Sequence, residues 1–566
     1  MLLRCAALLA TVVLLSVTPD LGAWRSAGPA SAPHAMIATE QHYATQAGVN
    51  ILRRGGNAVD AAIAIAYALA VVDPCCGNIG GGGFMLVRMH DGRERFIDFR
   101  EKAPLRASPH MYLDAQGNVI PHASTKGYLS AGVPGTVMGM ERARQEFATL
   151  PRGVLMAPAI ALAQNGFRVE AGDADIFKKA AFANQPNVRE IFMSGGRLPQ
   201  PGDTLRQPQL AATLRLIAKD GAHAFYDGPI AQAIVDASYK EGGMLSMDDF
   251  KQYTADERAP IHCTYRGYTI ISAPPPSSGG VTLCEMLDVV SAYPLHRWGW
   301  HTTQSVHYTI EAERRAYADR NTYLGDPAFV KNPVDALLSP AYAAKLRSTI
   351  QPAAATPSVD VRPGLGPVAH ENGDTTHFSI VDKWGNAVAV TYTINDLFGA
   401  GVIAGDTGFF LNDEMDDFTS KPGVPNMFGL VQGERNDIQP GKRPLSSMTP
   451  TIVTKDGKLF MVTGSPGGSR IITIVFSTLE NVLDFGMNVQ EAVDAPRLHM
   501  QWLPDRIEME PGALSDSTMT QLRAMGYTLK EIPSWGSAQA VVVDPKTGRR
   551  YGGTDRRHPA GLAAGY

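Results

Sequence analysis

The sequence predicts a fold of mixed α and β structure, and three observations carry that reading. A β-hairpin signature lies between Asn372 and Asn395, with alternating apolar residues at Phe378, Ile380, Val388, Val390 and Tyr392 broken by Trp384-Gly385-Asn386. Helical runs fill the upstream half of the chain. Two further hairpin patterns follow downstream, Thr451 to Thr463 turning at Lys455-Asp456-Gly457 and Ala540 to Tyr551 turning near Pro545 to Gly548. A length of 566 residues suggests several domains, at about 150 residues each, yet a large layered unit absorbs that length. The one stretch of linker composition runs from Gln351 to Asp374 and is rich in Pro, Ala and Gly.

Taken in order, residues 1–23 contain Arg4, an apolar run from Cys5 to Val17, and Leu21-Gly22-Ala23 as a small-residue cleavage site. Export to the periplasm or the medium is the expectation, with no membrane anchor after processing. The apolar run is shorter than the roughly 20 residues that span a bilayer, and an uncleaved amphiphilic tail is the alternative. Thr39 to Ala70 reads as two helices broken at Gly55-Gly56-Asn57, with Thr39 as the cap of the first. The second is Ala, Ile, Val and Leu almost throughout, so it belongs inside a layered fold. Gly80 to Gly83 lacks the context of a nucleotide loop. It reads either as close packing of chain near the site or as direct contact with a ligand.

From Gly132 to about Arg320 the amphipathic runs are Val137 to Phe147, Val154 to Asn165, Gln209 to Asp220, Ile230 to Tyr239 and Thr303 to Arg320. All are expected to coat a sheet. Pro274-Pro275-Pro276-Ser277-Ser278-Gly279-Gly280 is a stiff turn before a helix starting at Val281, and Arg470 to Leu483 is an apolar helix.

The composition, 44% hydrophobic and 19% charged with a net charge of −4, is that of a globular protein. It carries no basic block of the kind nucleic acid requires, so a small-molecule partner is expected. Outside residues 1–23 there are four cysteines, Cys75, Cys76, Cys263 and Cys284. A Cys263–Cys284 bridge is open, a vicinal Cys75–Cys76 bridge would be strained, and buried free thiols are the alternative. None of the cysteines has metal-ligand spacing, so no metal site and no cofactor are expected.

Thr375 and Thr376 stand at the start of the first hairpin, directly after the linker-like stretch. On position alone they are ordinary β-branched residues opening a strand. Scission between Asp374 and Thr375 would change that. A threonine at a new N-terminus owns a hydroxyl nucleophile and an α-amine of pKa roughly 7.7 to 8.0 that can take its proton.

The run Asp374-Thr375-Thr376-His377-Phe378-Ser379 with Thr391-Tyr392-Thr393-Ile394-Asn395 resembles the start of the small subunit of the γ-glutamyltranspeptidases, members of the N-terminal nucleophile hydrolase superfamily. The blocks Asn412 to Phe418, Lys442 to Met448, Thr463 to Arg470, Gly77 to Phe84 and Asp98 to Glu101 resemble the family in the same order. The likeness extends from about Met36 to Tyr566.

The resemblance implies an α+β fold, a four-layer αββα sandwich. It implies a precursor that cuts itself into a large subunit, residues 24–374, and a small subunit, residues 375–566, both within one domain. It also implies a γ-glutamyltransferase and glutathione hydrolase whose partners are glutathione, other γ-glutamyl compounds, and acceptor amino acids or peptides. By the same likeness Thr375 is the nucleophile, Thr393 its orienting hydroxyl, and Gly467-Gly468 the backbone donors to the oxyanion. Arg100, Ser446 and Ser447 hold the donor's carboxylate, while Asn395, Glu414 and Asp417 accept from its ammonium.

Two positions depart from bacterial relatives. Glu414 stands where some bacterial relatives carry glutamine, and Phe428 stands where a bacterial lid tyrosine would be expected, in a loop from about Pro422 to Lys442 that resembles the family's lid. The rival readings are a glutaryl or cephalosporin acylase of the same superfamily and an exported solute-binding protein without chemistry.

Overall fold

A computed structural model describes residues 27–179, 185–193, 196–363, 375–422, 424, 427 and 433–566. The segment 1–23, Asp374 and Phe428 lie outside the described residues. Two seven-stranded sheets dominate the fold. One runs, edge to edge, through Leu562–Gly565, Met36–Thr39, Thr376–Val381, Ala387–Thr393, Gly82–Arg88, Glu94–Phe99 and Asp256–Arg258. The other runs through Ala30–Ala32, Arg550–Thr554, Gln539–Val543, Lys458–Gly464, Thr451–Lys455, Tyr268–Ser272 and Ile261–Tyr265. Every neighbouring pair in both sheets is antiparallel.

Side-chain alternation along each strand builds the layers. In Gly82–Arg88, Phe84 and Leu86 join the core between the sheets with Ile452, Val462 and Val541. Met85 and Val87 of the same strand instead face the helices His42–Arg53, Ala58–Val72 and Thr136–Phe147. Helices Gly279–Val290, Thr303–Tyr323 and Ile471–Leu483 close the outer face of the second sheet. The arrangement is the αββα sandwich that the resemblance implied.

Helix Ala58–Val72 is buried along its whole length, as its apolar circumference required. Each fully buried Ile, Val or Leu contributes about 1.5–3 kcal/mol relative to exposure. Its one charged residue, Asp60, closes a capping box with Asn57 and also accepts from the Thr149 and Leu150 N–H groups at 3.0 Å. Its desolvation is thereby matched by hydrogen bonds.

Three expectations are corrected. The first helix is capped by Gln41, whose side chain accepts from Tyr43 N at 2.8 Å, while Thr39 ends a strand. The local Thr signal lost to strand pairing with Phe378 and Leu562. Helix Thr303–Tyr323 is no amphipathic coat, because its Glu311, Glu313, Arg314, Arg315, Asp319 and Arg320 are all buried. Charge pairs within the helix permit that, with Glu311 bridging Arg314 and Arg315. Cys75 and Cys76, expected to resist pairing, form a vicinal disulfide, while Cys263 and Cys284 form the open alternative with a Cα–Cα distance of 5.9 Å.

Candidate active site

Thr375 directly precedes strand Thr376–Val381, and its neighbour Thr376 pairs with Tyr392. The partner strand ends at Thr393, so the turn back of the hairpin lies far from the site and its open end holds both hydroxyls. Thr393 pairs in turn with Gly82 of the glycine run. A Cβ on Gly81 would lie 1.8 Å from the Thr393 carbonyl oxygen, and one on Gly80 2.0 Å from that of Phe410. Close packing of chain is therefore what the run is for, and it fixes the backbone that carries Thr393. Thr393 Oγ1 accepts from Asn395 N at 2.8 Å, and Asn395, at φ 76°, donates from Nδ2 to the Asp413 carbonyl at 3.1 Å.

Asn412 ties this corner to the acidic turn Glu414–Asp417. Its amide donates to the Gly80 and Gly132 carbonyls at 2.8 and 3.0 Å, and its oxygen accepts from Glu414 N at 3.1 Å. Arg100 follows strand Glu94–Phe99 and is buried. Its Nη1 donates to Glu414 and its Nη2 to Asp417, while Nε reaches the Pro444 carbonyl at 3.3 Å. Glu101 adds a third carboxylate, with Oε2 3.7 Å from Arg100 Nη1.

One guanidinium thus faces three buried carboxyl groups, and their charges do not balance. Burial pushes the Glu414 carboxyl up to about 8 and that of Glu101 to about 7, against the pull of Arg100. Burial also raises Asp417, again opposed by Arg100. A second cation between these acids would be welcome.

Ser446 and Ser447 form the opposite wall. Ser446 Oγ accepts from Met448 N at 3.1 Å, and Ser447 Oγ accepts from Arg320 Nη2 at 2.8 Å. Beyond them, Gly467 at φ 134° and Gly468 at φ 62° open a 3₁₀ turn that leads into helix Ile471–Leu483. Only glycine adopts the first of those conformations without strain.

A small, partly open cavity is lined by Arg100, Thr375, Thr393, Asn395, Glu414, Asp417, Ser446, Ser447 and Gly468, with Met448 and Ile471. Nine residues singled out in the sequence therefore meet at one place. Gly467 stands one residue behind the wall, and Asp374 is outside the described residues. His377, the histidine nearest in sequence to Thr375, is buried and points elsewhere. Its ring sits 2.8 Å from Thr391 Oγ1 and 3.0 Å from Ser379 Oγ, and burial holds it near pKa 3, hence neutral.

Sequence reasoning missed Arg320, Ser278 and Glu101 as parts of this region. Glu101 was legible in the Asp98-Phe99-Arg100-Glu101 block. Arg320 was not, since a charged residue late in a helix reads as solvated. Among the described residues, the one trio close enough to share a metal ion is Asp73, Cys75 and Cys76, whose sulfurs are spent on their disulfide.

The sequence profile described as Gamma-glutamyltranspeptidase matches residues 44–565. The chain is 53% identical over 552 residues to the glutathione hydrolase proenzyme of Pseudomonas sp. (strain A14), covering 96% of each chain. It is 47% identical over 542 residues to the glutathione hydrolase proenzyme of Escherichia coli (strain K12), covering 95% of this chain and 93% of that one. Among solved structures, a cephalosporin acylase from Bacillus halodurans superposes with a TM-score of 0.85 at 28% identity, covering 96% of this chain and 97% of that one.

Proposed function

The chain belongs to the γ-glutamyltranspeptidase family, and from that premise we propose that it is an autoprocessing γ-glutamyltransferase and glutathione hydrolase with Thr375 as its nucleophile. The observation that carries this reading is the meeting of Thr375 with Arg100, Glu414 and Asp417 in one cavity. A γ-glutamyl donor brings one carboxylate and one ammonium on the same carbon. Arg100, Ser446 and Ser447 supply donors for the first, and Glu414, Asp417 and Asn395 supply acceptors for the second.

Maturation starts with attack of the Thr375 hydroxyl on the Asp374 carbonyl. The peptide C–N bond breaks, an ester forms at Oγ1, and the nitrogen leaves as the new α-amine. Hydrolysis of that ester releases a large fragment ending at Asp374 and a small fragment beginning at Thr375. In turnover the α-amine takes the Thr375 proton as Oγ1 attacks the γ-amide carbonyl. Thr393 orients the nucleophile, and the backbone at Gly467-Gly468 donates to the oxyanion. The donor amine departs with a proton, leaving a γ-glutamyl ester on Thr375. Water or an acceptor amino acid or peptide then takes the acyl group.

The two carboxyl groups of the lining, Glu414 and Asp417, suit a donor that carries an ammonium and so favour this reading over a glutaryl acylase, whose donor lacks that cation. The precursor is proposed to be exported, with residues 1–23 removed. Among the described residues no helix is long and apolar enough to cross a membrane.

Isolation of the mature protein tests the scheme. Two fragments on a denaturing gel, the smaller with Thr375 as its first residue, are expected. A γ-glutamyl anilide should be cleaved far faster than a glutaryl anilide. A single uncut chain that still turns over donor would reject the nucleophile, and equal rates on both anilides would favour the acylase.

The raised acids add a pH dependence. Burial pushes the Glu414 carboxyl up to about 8 against the pull of Arg100, so its ionised fraction grows as pH rises toward that value, and an ammonium is held better by a carboxylate than by a carboxylic acid. The KM for a γ-glutamyl donor should therefore fall as pH rises from about 6 toward about 8, below the range in which the donor's own ammonium loses its proton. Glu414→Gln should flatten that KM profile while leaving the rise of kcat that follows the Thr375 α-amine. A KM profile unchanged by the substitution would remove Glu414 from ammonium binding.

A further inference from the structure

Arg320 lies in the last turn of helix Thr303–Tyr323, in the proposed large fragment, and its guanidinium ends at the part of the cavity wall that the small one supplies. It is buried and makes three directed bonds. Nη2 donates to Ser447 Oγ at 2.8 Å, Nε to Ser278 Oγ at 2.7 Å, and Nη1 to Asn321 Oδ1 at 2.9 Å.

A guanidinium only donates, so each hydroxyl that meets it must accept there and keep its own proton for another partner. The consequence is visible at Ser278. Its Oγ accepts from Arg320 and donates to the Ser446 carbonyl at 2.7 Å, and Ser278 N donates to the same carbonyl at 2.7 Å. The Ser446–Ser447 peptide is thus clamped from behind. At Ser447 Arg320 donates to Oγ directly, and Ser447 lines the cavity. One turn earlier Tyr317 donates its hydroxyl to the Ser469 carbonyl, so the helix also holds the turn that Gly468 opens.

We infer that Arg320 is a positioning residue for donor selection: by bonding Ser447 Oγ directly and holding the Ser446 carbonyl through Ser278, it fixes the place of the two serines that meet the substrate's α-carboxylate. The inference rests on the reading of Ser446 and Ser447 as carboxylate donors. It assigns specificity to a residue that touches no substrate.

The test compares two donors, γ-glutamyl anilide and γ-aminobutyryl anilide. The second keeps the ammonium and the scissile amide but lacks the α-carboxylate. Arg320→Gln should raise KM for the γ-glutamyl donor by about 10- to 100-fold, the range for losing a charge-assisted hydrogen-bond network, with kcat little changed. Preference for γ-glutamyl over γ-aminobutyryl should shrink by the same factor. Arg320→Lys, which keeps the charge but not the fork, should restore part of it. The effects of Arg320→Gln and Ser447→Ala should not multiply in the double variant, because both act through one hydroxyl.

Equal losses on both donors, or multiplying effects in the double variant, would overturn the inference while a selective Ser447→Ala leaves the parent reading standing. A Ser447→Ala protein with unchanged donor preference would overturn the parent reading, and the inference with it. Scission into two fragments reports folding of each variant. Where Arg320→Gln stays uncut, Arg320→Lys carries the same comparison.

Discussion

A Thr375→Ala protein is expected to remain one uncut chain and to lose hydrolysis of γ-glutamyl anilide by on the order of 10⁴-fold or more, the scale seen when a covalent nucleophile is removed. Both losses come from one atom. Without Oγ1 there is no attack on the Asp374 carbonyl, so no α-amine is freed, and the base proposed for turnover is never formed. His377 cannot substitute, because it is held neutral and turned toward Thr391 and Ser379. Thr375→Ser tests the same point from the other side. It keeps a hydroxyl at the same place, primary where threonine's is secondary, so scission and turnover should persist at reduced rate. A denaturing gel and the initial rate of anilide release read both outcomes, and an alanine variant found cut before residue 375 would show that another group performs the scission.

The second large effect is expected at Arg100. Arg100→Met should lower kcat/KM for the γ-glutamyl donor by about 10³-fold and destabilise the fold by about 3–5 kcal/mol, the cost of leaving one side of a buried ion pair behind. The fork is bonded to Glu414 and Asp417, and its removal takes away the guanidinium that Glu101, Glu414 and Asp417 share, leaving Asp417 the weaker pull of Arg320. These acids then hold protons to higher pH, which weakens their hold on the donor's ammonium as well. The two consequences separate in the Arg100→Met, Glu414→Gln double variant. Stability should recover in part, since one buried carboxyl is gone, but turnover should not. Chemical denaturation and donor kinetics on the same preparations decide it. Recovery of both together would mean that Arg100 serves the fold and not the substrate.

Much of this site was legible in the sequence because its residues sit in short blocks whose spacing survives folding. Thr375, Thr393 and Asn395 lie on one hairpin, Glu414 and Asp417 on one 3₁₀ turn, and Ser446 and Ser447 side by side. Hairpin turns marked by glycine were equally plain, as at Asp456-Gly457. What stayed hidden depended on long-range pairing. Thr39 carries a cap-forming hydroxyl, yet two neighbouring strands claimed its backbone. The strands Gly82–Arg88 and Glu94–Phe99 were masked by the glycine run before them, and Asp256–Arg258 is too short and charged to announce itself. Arg320 went unseen because its acceptors are 42 residues before it and 127 after it. No local pattern encodes that meeting.

The order of strands carries one more consequence. In the first sheet Met36–Thr39 lies between Leu562–Gly565 and Thr376–Val381, and in the second Ala30–Ala32 pairs with Arg550–Thr554 at one edge while Tyr268–Ser272 pairs with Thr451–Lys455 nearer the other. With the bond before Thr375 severed as proposed, the two pieces are woven through each other like warp and weft. Dilution or salt should not part them, since no plane of separation exists that spares both sheets. Each piece on its own would expose bare strand edges inviting aggregation, so maturation by internal scission after folding is the route by which such an interlaced pair can come into being.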